Sequence, residues 1–173
     1  MNQRRSFAIT AAAILALSLH AGDSVGQQKS LKDLLVGTWT AVSFTAVADD
    51  GTRTDPFGPN PKGVMIFTSD GHFSLLQARP DLPKIAANSI LKATPEEAMA
   101  VVQGSIAYYG EYSVNEAEKT FSVRILASTF ANMIGPEQKR VVTSLTSDEL
   151  KFTNPRIPAG LTLQTAWKRA PAR

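Results

Sequence analysis

Cysteine is absent from the 173 residues. That removes disulfides, thiolate nucleophiles and cysteine-based zinc or iron–sulfur sites together. Histidine is nearly absent as well: His20 and His72 are the only two, so a multi-histidine metal centre is excluded and no metal is expected. Charge of one sign is nowhere concentrated. Lys+Arg 18 against Asp+Glu 15 leaves +3, and no Lys/Arg run exceeds two residues, which argues against nucleic acid as a partner. Ser43, Ser74 and Ser128 lack a Gly-x-Ser-x-Gly context, which excludes an ordinary serine hydrolase. Gly58 and Gly63 precede a strand rather than a helix, so no phosphate loop forms there. No cofactor is implied.

Long hydrophobic runs are scarce too. The one of note, Phe7–Leu19, is uncharged over thirteen residues and follows Arg4-Arg5. It is too short to span a bilayer and suits the core of an export signal. Ser24-Val25-Gly26 supplies small residues for a cut that leaves Gln27 as the new terminus, and a cut after Ala21 competes with it. Arg4-Arg5-Ser6-Phe7 also fits a twin-arginine signal, which carries chains already folded. The expected organisation is a signal peptide over 1–26 and a single domain over 27–173. The mature form is expected in the periplasm or secreted, with no stable membrane span.

What remains has the composition of one globular domain, with 43% hydrophobic, 19% charged and 8% aromatic residues. A short helical segment at 30–36 gives way to period-two patterning. Strands are predicted at 38–47, 64–68, 73–78, 108–114, 119–126, 139–145, 150–153 and 161–168. Asp70-Gly71 marks a hairpin because it tolerates positive φ, and Asn115–Glu118 and a Ser-Asp turn mark two more. Eight strands joined in sequence lose their exposed edges by closing. The expected fold is therefore mainly β, an eight-stranded antiparallel up-and-down barrel with a short N-terminal helical turn.

One helix interrupts the meander, over 94–104. Thr94 caps it, Pro95 suits its first turn, Glu97 completes a capping box and Gly104 ends it. Ala98, Met99, Val101 and Val102 form its apolar face, and the barrel mouth is one surface for it to pack on. The loop Asp55–Pro61 is stiffened by three prolines.

A four-residue turn at 115–118 pairs Val114 with Lys119, Tyr112 with Phe121 and Gly110 with Val123. Tyr108, Tyr112 and Phe121 then face inward. Glu111 and Arg124 become diagonal neighbours on the outside, whereas a one-residue slip turns Arg124 into the lumen to hold a carboxylate. Aromatic residues on strands fill such an interior or line a site above its floor. Phe73, Tyr108, Tyr112 and Phe130 are the ring candidates for ligand binding. Arg79, Arg124 and Arg140 are the charged ones; Arg79 also has Asp81 as a surface partner, and Arg140 has the same two readings. His72 reads as an exposed hairpin residue or as a polar group at the rim.

Gly37-Thr38-Trp39 resembles the Gly-x-Trp signature of lipocalins. The runs Asp49–Pro59, Lys62-Gly63, Ser69–His72, Arg79-Pro80-Asp81 and Tyr108–Tyr112 together resemble the bacterial and fungal lipocalin-like domain family over nearly the whole mature chain. The resemblance implies a calycin-type barrel with an internal cavity, Trp39 closing one end beside Gly37 and Trp167, and a basic residue across it, Lys168 or Arg169. Val123, Arg124 and Leu126 stand where relatives often carry histidine and acidic residues, and Phe130-Ala131-Asn132-Met133 replaces a Phe-Pro-Asn-Trp-like segment. Acid–base chemistry through that histidine is thus not expected. The reading that follows is an exported protein binding a small hydrophobic or amphipathic molecule. The alternative is a non-hydrolytic enzyme, an isomerase or cyclase, working by positioning and charge stabilisation. A partner-binding structural role is a third. No catalytic residue is identified.

Overall fold

The computed structural model describes residues 29–155, 157 and 160–171. The export-signal reading of 1–26 lies outside the described residues. Helix α1 (Leu31–Leu35) is followed by β1 (Gly37–Val47), β2 (Arg53–Thr54), β3 (Lys62–Phe67) and β4 (His72–Ala78). Helix α2 (Pro95–Gly104) leads directly into β5 (Ser105–Asn115), then β6 (Thr120–Ser128), β7 (Gln138–Leu145), β8 (Glu149–Asn154) and β9 (Thr162–Arg169). All neighbours pair antiparallel, and β1 also pairs with β9. Eight strands thereby close into a barrel, with β2 a two-residue addition along the far half of β1.

β1 makes closure possible because it serves two neighbours. Its first residues, Gly37–Thr40, pair with β3, while Trp39–Val47 pair with β9 across a bulge between Ala41 and Ser43. Strand alternation puts Trp39, Phe44, Met65, Phe67, Phe73, Leu75, Phe121, Val123, Ile125, Leu150, Phe152 and Trp167 inside. Their rings meet edge to face: Phe44 on Trp167 at 5.1 Å, Phe67 on Tyr112 at 4.9 Å and Phe121 on Phe152 at 5.1 Å. Each such buried ring contributes on the order of 2–3 kcal/mol.

The turn from β5 to β6 differs from the expected register. Asn115 pairs with Thr120, so Val114 opposes Phe121, Tyr112 opposes Val123 and Gly110 opposes Ile125. The loop is Glu116–Lys119, closed by the Lys119 amide on the Glu116 carbonyl, with Lys119 at φ 52. The slip is two residues, so every side chain keeps its face. Gly110 has a steric reason: a Cβ there would lie 2.0 Å from the Arg124 carbonyl oxygen, beside the bulge at Tyr109/Gly110.

Helix α2 forms where expected, with the Thr94–Glu97 capping box and Pro95 in its first turn. Its packing is different. Met99 and Val102 are 54% and 73% exposed, while Ala100 and Val101 turn inward. Gly104 sits against Leu82 and the Arg79 stem, its carbonyl accepts from the Arg79 amide, and Glu97 accepts from the Ala86 amide. The helix is thus tied to its own insertion, with Met99 and Val102 turned to solvent. No helix among the described residues is long and apolar enough to cross a membrane.

The α1 end is closed. Trp39 is fully buried and its indole N–H donates to the Leu35 carbonyl at 2.8 Å. The Arg169 guanidinium lies 4.1 Å from the Trp39 ring centroid and donates to the carbonyls of Val36, Leu34 and Ser147. Of the two basic candidates it is Arg169 that crosses the floor; Lys168 points to solvent. At the other end of α1, the Glu116 carboxylate accepts from the Leu31 and Lys32 amides. Gly37 has φ 128, and a Cβ there would stand 2.6 Å from the Arg169 guanidinium. Arg169→Met strands three carbonyls and is expected to cost about 2–3 kcal/mol, read as a lowered urea midpoint. Lys168→Met is expected to change stability by less than about 0.5 kcal/mol; equal effects would refute the assignment.

Candidate functional site

The barrel interior changes character from one end to the other. Beyond the aromatic floor, alternation on β4 runs Phe73, Leu75, Gln77; on β8 it runs Leu150, Phe152, Asn154; on β7 it runs Gln138, Arg140, Val142. Gln77, Arg140 and Asn154 are 4%, 5% and 6% exposed. Tyr108 on β5 faces the same space, its ring 5.9 Å from that of Phe73. The half of the barrel remote from α1 therefore carries Gln77, Arg140, Asn154 and Tyr108 among the apolar Ala46, Ile106 and Leu163.

The geometry of this cluster is specific. Arg140 donates through Nη2 to Gln138 Oε1 at 2.8 Å and through Nη1 to the Lys139 carbonyl at 3.2 Å. Its guanidinium also interacts with the Tyr108 hydroxyl. Gln138 in turn donates to the Met133 carbonyl at 3.1 Å, which ties the β6–β7 loop to the cluster. Burial drives the Tyr108 hydroxyl above the ordinary tyrosine pKa and Arg140 below the ordinary arginine value, each partly opposed by the other. Gln77 Oε1 and Asn154 Oδ1 are buried with no hydrogen-bond partner. Phe57, from the Pro-rich loop, packs edge-on to Phe44 at 5.5 Å.

A family model described as a lipocalin-like domain matches residues 36–170. The chain belongs to the lipocalin-like domain family. No curated protein matches it. Among solved structures it is similar to a lipocalin-like protein from Bacteroides uniformis, 15% identical over 79% of this chain and 99% of that one, with a TM-score of 0.44. It is also similar to a de novo designed fluorescence-activating β-barrel, 11% identical over 83% of this chain and 100% of that one, TM-score 0.43. A redesigned β-barrel, mFAP1 bound to DFHBI, is 16% identical over 82% and 100%, TM-score 0.42.

In this lipocalin-like barrel, Phe73, Tyr108 and Arg140 converge on the lumen. The other ring and arginine candidates are placed elsewhere. Tyr112 is core at the closed end, where its hydroxyl donates to the Thr68 carbonyl at 2.7 Å. Arg124 stands on the outer wall directly opposite Glu111 and pairs with it, because the two-residue register slip preserves its outward face. Arg79 donates to both Asp81 oxygens at 3.0 and 2.9 Å on the surface. Phe130 is 47% exposed on the loop after β6. His72 is exposed beside Asp70, with Nδ1 3.2 Å from its carboxylate, on the hairpin at the closed end.

Gln77, Gln138, Asn154 and Phe57 were not among the candidates. The first three carry a readable signal, since each continues the inward parity of its strand. Phe57 carries none, because it lies in the loop between β2 and β3, where no strand alternation applies. Concavities on the outer wall are open to solvent. The groove of about 370 Å³ beside Ser43, Thr45, Arg53 and Lys151 is one of them.

Two outcomes follow from the buried polar layer. An orphaned buried acceptor costs stability, so Gln77→Met is expected to stabilise the ligand-free protein by about 1 kcal/mol, read as a melting temperature raised by about 3 °C. A lower melting temperature would show that the amide is already satisfied. Tyr108, with a folded pKa above its unfolded value, supports stability fully below about pH 10, and that support is lost as pH rises through the folded value. Denaturation midpoints taken from about pH 9 to about pH 11.5 are expected to fall less steeply for Tyr108→Phe than for the wild type.

Proposed function

We propose that this protein is an exported small-molecule-binding barrel that holds an amphipathic ligand in its lumen. The observation that carries the reading is the buried polar layer above an aromatic floor. A barrel needing only to stand is better filled with apolar side chains, since buried polar groups with unmet hydrogen bonds reduce stability. Here Arg140 and Tyr108 are held in place, while the acceptors of Gln77 and Asn154 are left open. That combination suits a mostly apolar site with few, fixed polar groups. Export follows from residues 1–26, whose charged start, thirteen-residue core and small residues before Gln27 suit a cleavable leader.

The test is native mass spectrometry of the protein purified from its own periplasmic fraction, with intact mass after denaturation. The expected result is a chain beginning at Gln27 and one discrete co-purifying small molecule released on denaturation. A full-length chain confined to the cytoplasm would sink export. An apo mass that also fails to bind any of a panel of apolar fluorophores would sink binding.

A further inference from the structure

A full charge is expensive to bury unless an opposite charge accompanies it. Arg140 is the only buried charged side chain among the described residues. No aspartate or glutamate among them is buried. The ion pairs of the described residues, such as Arg124–Glu111 and Lys151–Glu149, are on the surface and leave Arg140 out. Its hydrogen-bond partners are neutral, the Gln138 amide oxygen and the Lys139 carbonyl, and the Tyr108 hydroxyl that interacts with it is neutral as well. A guanidinium has five N–H donors in a planar fork that matches a carboxylate two oxygens at a time.

The wall beside Arg140 is also the least paired. β6 and β7 pair only over Thr120–Val123 and Gln138–Val141, so residues 124–128 of β6 have no partner on that side. The gap is covered by the loop over 129–137, which carries Phe130 and Ile134 at 47% and 42% exposure. The loop is held to the wall by the bonds of Thr129 with Ala107, of Ser113 with Glu137 and of Gln138 with the Met133 carbonyl rather than by a strand ladder. Gln77 Oε1 and Asn154 Oδ1 lie on walls on either side of Arg140, free to accept from a hydroxyl or water that accompanies a ligand head group.

We propose that Arg140 and Tyr108 form a carboxylate subsite inside the barrel, and that the ligand is an amphipathic organic acid. Its carboxylate lies on the guanidinium, supplying the counter-charge that no described residue provides there, and accepts a hydrogen bond from the Tyr108 hydroxyl. Its apolar part lies along Phe73, Leu75 and the ring of Phe57. This inference rests on the binding function proposed above and adds the ligand's chemical class.

The experiment titrates the mature chain, residues 27–173, with 11-(dansylamino)undecanoic acid and with its methyl ester, following dansyl fluorescence. The acid is expected to bind at least about tenfold more tightly than the ester. Arg140→Met is expected to weaken the acid by about tenfold or more while leaving the ester within about twofold, and Tyr108→Phe to weaken the acid by about threefold. Near-ultraviolet circular dichroism of Trp39 and Trp167 reports whether each variant is folded. The wild-type ratio of acid to ester decides the matter even where a variant does not fold. Equal binding of acid and ester overturns the carboxylate subsite and leaves the binding function standing. Binding of neither probe, with a neutral apolar dye still bound, also overturns it. Failure of all three to bind overturns the binding function as well.

Discussion

Everything in this barrel depends on the closure of β1 against β9, and that seam is locked where Arg169 lies over Trp39. The contact is economical in residues. One guanidinium covers the indole face, takes up the last carbonyls of α1 and reaches the β8 side through Ser147. Cations are favoured at helix C-termini and over indole rings for separate electrostatic reasons, and here both act on one side chain. Helix α1 is too short to be stable alone. It exists because Ser30 and Asp33 cap it, Glu116 holds its first amides and Arg169 its last carbonyls. The plug and the seam therefore form together, and the aromatic floor packs against both.

From that fixed end the interior follows a gradient. Fully buried rings dominate near α1, and beyond them amides, a phenol and a guanidinium enter among smaller apolar side chains. The gradient is written in strand alternation. β4 passes from Phe73 to Gln77 and β8 from Leu150 to Asn154 without leaving the inward face. An apolar floor with ample edge-to-face contact provides the stability that a polar upper layer reduces. Neither half would make the same molecule alone: a wholly apolar lumen has no means of orienting a ligand, and a wholly polar one has no core.

Much of this was legible in the sequence because it is carried by local rules. Period-two runs marked all eight barrel strands, Asp70-Gly71 marked its hairpin, and Thr94-Pro95-Glu96-Glu97 marked the start of α2. The floor was legible by a different route, the resemblance of Gly37-Thr38-Trp39 to the lipocalin signature, which implied a basic residue across Trp39. What stayed hidden depends on distances along and between strands. Arg124 and Arg140 look alike as isolated cations in β-runs. Which one faces inward depends on strand parity and on where bulges fall, and a bulge leaves no dependable mark in the sequence. Met99 and Val102 looked like a buried helix face, but they are exposed, and it is Ala100 and Val101 that are partly buried, beside a Gly104 with no room for a side chain against Leu82. Gln77 and Asn154 were within reach of the alternation argument, yet an amide at a strand end reads as surface unless the parity is followed to the last residue.

The least paired part of the wall lies beside the most polar part of the lumen, and the two are coupled by chain geometry. Strands in a closed eight-stranded barrel are tilted, so β6 and β7 run past one another and share only four residue pairs. The unpaired length of β6 must then be covered by a loop rather than a strand. Gln138, the first residue of β7, ties that loop to Arg140 by donating to the Met133 carbonyl while accepting from the guanidinium. The buried guanidinium and the covering loop are thus joined through Gln138, while Thr129 on Ala107 and Glu137 on Ser113 fix the two ends of the loop to β5.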